Sequence, residues 1–177
     1  MPTFYTSFLF VLCAYYCMRI GYAARMRQKP FAFIWIFLST LLLFLSADEW
    51  FGIHENLIIP LRTVFDIEQG PFYFAWTTVY IGLVITVLLV TIPWLRALER
   101  KFRNKLLFSA GVYITGALVF EMIGSWVYST NGYQYTPIYA NIVTIEESLE
   151  LIGLTLATLT LATYFARYTK AMPRFKQ

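Results

Sequence analysis

The sequence predicts an all-α membrane protein, a bundle of five transmembrane helices forming one domain over residues 1–177. Three observations predict it: an oily composition, five apolar stretches each long enough to span a bilayer, and charge divided unequally between alternate connections. Of 177 residues, 59% are hydrophobic, 19% aromatic and only 14% charged, whereas soluble domains carry about 25% charged residues. Such a chain is excluded as a cytosolic enzyme, a nucleic-acid binder or a disordered tail. Cys13 and Cys17 are too few for a disulfide scaffold.

A hydrocarbon core of about 30 Å needs roughly 20 residues of helix. Residues 3–21 supply the first span; no basic segment precedes it and Arg19 follows its apolar run, so it reads as a retained span and not a cleaved signal peptide. Residues 31–50 follow Pro30 and end on Asp48-Glu49-Trp50. Residues 72–94 carry no charge and read as a lipid-facing scaffold, with Pro93 a point where the helix can kink. Residues 106–128 enclose Glu121, and residues 142–168 open on Glu146, Glu147 and Glu150. Thr144 to Glu147 has the pattern of a capping box, which places the start of the fifth helix there. Alternating ten-residue segments are missing, which argues against a β-barrel; helices then satisfy the backbone in lipid.

The connections fix an expected orientation. In a five-span arrangement one side collects Arg19, Arg25, Arg27, Lys29, Arg96, Arg100, Lys101, Arg103, Lys105, Arg167, Lys170, Arg174 and Lys176, with Glu99 the single acid. The other side collects nine acids and one cation, Arg62. Basic loops stay in the cytoplasm, so the N-terminus is expected outside, the C-terminus inside, and the location a bacterial type of plasma membrane. The expected partner is the lipid bilayer, with no nucleic acid; a homo-oligomer or a larger membrane complex is compatible with the sequence. Tyr5, Trp50, Phe51, Phe72, Tyr73, Trp76, Trp126, Tyr128, Tyr133 and Tyr135 cluster at the outer ends of spans, as an interfacial belt does.

The acids recur at one depth. Glu49 lies roughly 27 Å up the second span, Glu121 roughly 22 Å up the fourth and Glu150 roughly 25 Å up the fifth, at 1.5 Å per residue. Ionised groups at that level should face the bundle interior. The stripes agree: Ala110, Ala117, Glu121 and Gly124 on the fourth span, Glu146, Glu150, Gly153 and Ala157 on the fifth, Ser39, Ser46 and Glu49 on the second. Small residues there mark close helix approach.

Carboxylates this close need a cation or shared protons. One imidazole with several carboxylates suits zinc, iron or manganese, so a divalent metal site is expected from Glu49, His54, Glu121, Glu147 and Glu150, supported by Asp48, Glu55 and Glu146. Glu49 and His54 meet only if the helix bends, for which Gly52 is available. The paired Glu-x-x-His of di-iron bundles is missing, since His54 is the only histidine. The leading expectation is therefore a metal-binding, metalloenzyme-like site acting on a small or lipid-like substrate from the outer leaflet, with catalytic residues unassigned. Two alternatives stand beside it: a non-enzymatic accessory subunit whose acids pair with Arg62, hydroxyls and helix N-termini, and a proton or cation relay. The cysteine pair reads as buried packing.

Overall fold

The computed structural model describes residues 2–170, with side chains over 3–168. Arg174 and Lys176 of the basic tail lie outside the described residues, as does the Lys170 side chain. The described chain is helical and without strands: α1 (Pro2–Met26), α2 (Ala32–Phe51), α3 (Ile53–Asn56), α4 (Ile58–Phe65), α5 (Trp76–Ala97), α6 (Arg100–Ile114), α7 (Glu121–Thr130) and α8 (Pro137–Lys170). Between α6 and α7, Thr115–Phe120 is a π-helical segment, so the three pieces form one continuous rod. Five helices are long and apolar enough to cross a membrane: Thr3–Met26, Ala32–Phe51, Trp76–Ala97, Arg100–Thr130 and Pro137–Tyr168.

The first helix runs past residue 21 to Met26, and three helix starts differ from expectation. The fifth helix starts at Pro137, not residue 142, because Thr136 supplies the cap: its Oγ1 accepts the Tyr139 N–H at 3.2 Å, with proline at the first helical position. Thr144 therefore lies inside the helix, its hydroxyl donating to the Ala140 carbonyl, and the capping box with Glu147 does not form. The fourth helix starts at Arg100, taking the basic loop into its first turns. The third starts at Trp76, four residues later than the hydrophobic run, and continues through Pro93.

Helices α1 and α2 are tied by buried hydroxyls. Ser39 donates to the Ala14 carbonyl at 2.8 Å, Ser46 to the Ser7 carbonyl at 3.0 Å, and Ser7 returns a bond to the Ser46 carbonyl at 3.1 Å. The tightest approach joins α8 to the fourth span. A Cβ on Gly153 would stand 2.5 Å from the Tyr113 nitrogen, and one on Gly116 would stand 2.8 Å from the Glu146 carbonyl oxygen. Cys13 and Cys17 are both free and buried, as expected of packing residues.

Aromatic packing closes the basic end. Trp35 meets Trp94 edge-on at 5.0 Å and stacks on Tyr164 at 5.8 Å, while Phe102 and Tyr164 stack at 4.0 Å. Helix α5 is anchored only at its ends, burying Trp76 and Thr77 at one and Thr91, Trp94 and Leu95 at the other. Its middle turns stand off from the bundle, and the space behind them is a cavity of about 800 Å³.

These contacts set an expected contrast among glycines. Gly153→Ala and Gly116→Ala each force backbone apart and should destabilise the purified protein by about 1–3 kcal/mol. Gly82→Ala, which meets nothing within 4 Å, should be neutral or stabilising by up to about 1 kcal/mol. Thermal unfolding followed by tryptophan fluorescence in a neutral detergent reads all three.

Candidate functional site

The second helix ends because Gly52 turns left-handed, at φ 58°, with its N–H on the Asp48 carbonyl. A Cβ is strained in that conformation, so glycine permits the bend that the sequence required. The chain restarts as α3, and Asp48 receives it with both oxygens: Oδ1 accepts the His54 backbone N–H at 2.8 Å and Oδ2 pairs with Nδ1 of the ring at 3.0 Å. The carboxylate thereby holds the imidazole in one orientation and places its proton on Nδ1, leaving Nε2 free for chemistry. Tyr80 of α5 also hydrogen-bonds Asp48.

His54 packs on a collar of rings. Its centroid lies 4.7 Å from Trp76 and 6.4 Å from Tyr80, and Trp76 meets Tyr80 edge-on at 4.9 Å. The Trp76 indole N–H donates to Glu121 Oε1 at 3.1 Å. Trp76 is therefore a buried site residue and not an interfacial anchor, and α5 forms a wall of the site instead of a passive scaffold.

One face of α7 makes this possible. Glu121, Ser125 and Ser129 are four residues apart and lie along one stripe. Ser125 Oγ accepts the Phe74 N–H at 2.8 Å and donates to the Gly70 carbonyl, while Ser129 Oγ accepts the Gly70 N–H at 2.9 Å. The two serines pin the segment entering α5, and the glutamate one turn below them receives Trp76.

All the acids singled out by depth, with His54, border the one cavity: Asp48, Glu49, Glu55, Glu121, Glu146, Glu147 and Glu150. They are not equivalent. Glu121 lies within hydrogen-bonding reach of Glu146, and Glu146 Oε2 is buried without a donor. Glu150 lies in the electrostatic reach of Glu49 and Glu121, and Glu49 hydrogen-bonds Thr3 of α1. Glu55 is exposed on α3. The expected pairing of Glu49 with His54 is replaced by Asp48 with His54, since the left-handed turn at Gly52 swings α3 back over Asp48. Asp48 and Glu55 do not share a helical face, because the helix stops between them.

Arg62 does not neutralise the acids. Its guanidinium lies 3.8 Å above the Tyr73 ring and its Nε donates to the Ile67 carbonyl. No lysine or arginine lines the cavity among the described residues, and the one ion pair there is His54 with Asp48. Among the described residues no group of three or more His, Cys, Asp or Glu side chains is arranged to hold a metal ion as it stands. Tyr113 and Tyr139, which also border the cavity near Glu150 and Glu146, carried no signal in the sequence beyond helical spacing.

Burial works against the charged form of His54, but the Asp48 hydrogen bond and the negative charges of Asp48, Glu49 and Glu55 outweigh it and hold the imidazole above its ordinary range. A raised value stabilises the fold most below the unfolded pKa of about 6.5 and loses that contribution as pH rises through the folded value. The wild-type melting temperature should therefore fall on going from pH 6 to pH 9 by more than that of His54→Gln. At pH 6 the substitution itself should remove about 1.5–3 kcal/mol. Equal pH slopes for the two proteins would remove the pair from the stability account.

Comparison with known proteins gives a family. The family model described as Domain of unknown function (DUF8692) matches residues 1–167. No curated protein and no solved structure matches the chain.

Proposed function

We propose that this chain, which belongs to the DUF8692 family, is a plasma-membrane protein with an acid–base site near its outer face, acting on a small or lipid-like molecule that enters from the outer leaflet. The observation that carries the reading is an imidazole oriented by a buried carboxylate at the mouth of a largely apolar cavity between helices. A pocket of about 800 Å³, apolar over most of its lining with ionisable groups gathered at one end, falls within the range of small-molecule sites. The orientation follows the basic loops, which place the acidic end outside.

In this reading His54 takes or gives a proton through Nε2, and Asp48 keeps the tautomer and steadies the charged ring. The Trp76 indole holds Glu121 in place, and Glu121 with Glu146 supplies a second exchangeable proton. A divalent ion among Glu49, His54, Glu121, Glu147 and Glu150 is the metal form of the same proposal. It draws support from ligand chemistry and requires these side chains to converge further than they do.

The test is turnover of extractable molecules. Purified protein incubated with a membrane lipid extract should produce a mass change in one component, read by mass spectrometry. His54→Gln should slow this by about 10²–10⁴-fold, as loss of an acid–base group does, while leaving the fold intact. Undiminished conversion by His54→Gln, or no conversion by wild type, overturns the acid–base reading. Elemental analysis decides the metal form: stoichiometric zinc, iron or manganese in wild type, lost in both Glu121→Ala and His54→Ala, supports it. Orientation is checked separately in cells, where a cysteine at Asn131 should react with an impermeant maleimide and one at Lys101 should not.

A further inference from the structure

The cavity has two ends of different chemistry, and together they describe a ligand. The acidic end carries Glu49, Glu121, Glu146 and Glu150, with no lysine or arginine on the lining among the described residues. Apart from His54, whose charge Asp48 already pairs, a phosphate or sulfate head group would meet like charge there. The same end presents the continuous ring surface of His54, Trp76 and Tyr80, and aromatic faces attract cations. A third observation is independent of charge and rings: Glu146 Oε2 is buried and lacks a donor. The hydrogen bond that this carboxyl does make is to Glu121, a carboxyl like itself. A buried acceptor left in that state is destabilising until an N–H or O–H reaches it.

Below this level the lining turns apolar. It runs down α5 past Leu83, Val84 and Val87, and down α8 from Glu150 through Leu154 and Ala157 to Leu161. Eleven residues of α8 separate Glu150 from Leu161, about 16 Å of depth at 1.5 Å per residue. One leaflet contributes about 15 Å, half of a 30 Å hydrocarbon core. The cavity therefore has the depth of a single leaflet's chain and a head site for a hydrogen-bonding cation.

We infer that the ligand is a long-chain primary amine: one apolar chain with an ammonium head and no phosphate. The ammonium offers three N–H donors, enough to engage Glu146 and Glu150 together while lying against the Trp76 and Tyr80 rings. The chain fills the space behind the stand-off portion of α5. This rests on the reading of the cavity as a binding site and adds the chemistry of its occupant.

The test uses the full chain in neutral maltoside micelles and probes that share a hexadecyl chain: hexadecylamine, hexadecyltrimethylammonium, hexadecanol and hexadecyl phosphate, with butylamine as the tailless control. Saturable binding is read by the shift in melting temperature and by native mass spectrometry. Hexadecylamine should bind at least about tenfold more tightly than each of the other four. Glu146→Gln or Glu150→Gln should weaken it by about tenfold and leave hexadecanol binding unchanged; whichever variant elutes as a folded, monodisperse species serves. Binding of hexadecanol or hexadecyl phosphate as tight as that of the amine overturns the head-group assignment and leaves the cavity as a lipid site. Equal binding of the trimethylammonium probe overturns the N–H contact to Glu146. Failure of every hexadecyl probe to bind folded wild type overturns the cavity reading itself.

Discussion

Everything at the acidic end depends on how closely α8 lies against the rod formed by α6, the π segment and α7. Within a bilayer, apolar side chains gain nothing by leaving lipid, so helices associate where small residues let backbones touch. Gly153 and Gly116 provide two such notches, one on each helix, each receiving main-chain atoms of the other. Two notches fix a rotation as well as a distance. Glu150 and Glu146 lie three and seven residues before Gly153, on the same face of α8, so the rotation that seats Gly153 on Tyr113 also turns both carboxyls inward. A one-residue slip would turn them by about 100° and out of the bundle.

The π segment has a complementary effect. It inserts a wider turn between α6 and α7 directly before Glu121, and such turns recur at functional sites. Its interior residues Gly116, Ala117 and Leu118 are buried against the bundle. The wider turn separates the phase of α7 from that of α6, so the rod can seat Tyr113 and Gly116 on α8 while the Glu121–Ser125–Ser129 stripe faces α5. One stripe then both positions the start of α5 through its serines and holds the site through its glutamate. Helix α5 needs this fastening because its middle turns touch little else, and the cavity exists because they do not.

Much of this is legible in the sequence. Span number, the inward face of Glu146, Glu150 and Gly153, the common depth of the acids and the bend at Gly52 all follow from helical period and small-residue placement, which act locally. Which acid would pair with His54 was not legible, because a left-handed residue redirects the chain in a way that residue spacing does not encode. The roles of Trp76 and Tyr80 were hidden for another reason. An aromatic residue near a span end looks the same whether it anchors at the interface or turns inward, and the third span has no charge to mark an inner face. The serine stripe of α7 was the available clue, since polar residues at four-residue spacing in line with Glu121 mark a face that meets polar groups, here the Gly70 and Phe74 backbone. The π turn left no mark in composition at all.

The electrostatics of the site divide it into two halves that respond oppositely to protons. Glu121 and Glu146 lie within hydrogen-bonding reach of each other, and two unit charges about 4 Å apart repel by about 4 kcal/mol at an effective dielectric constant of 20, so the two are not both ionised without a cation; among the described residues the cavity lining holds no lysine or arginine. A carboxyl there either keeps its proton or, on losing it, faces an incoming cation, and proton and cation compete for the same oxygens. The His54–Asp48 half works the other way: its ion pair forms when the ring gains a proton and dissolves when the ring loses it. Raising the pH therefore strengthens the pull of the carboxylates on a cation while weakening the charge on the neighbouring imidazole, and it is the neutral imidazole that can accept a proton at Nε2. A cation seated among the carboxylates would favour that neutral form by like-charge repulsion. In the proposed function, occupation of one half would bias the protonation state of the other by charge alone, without any movement of the backbone.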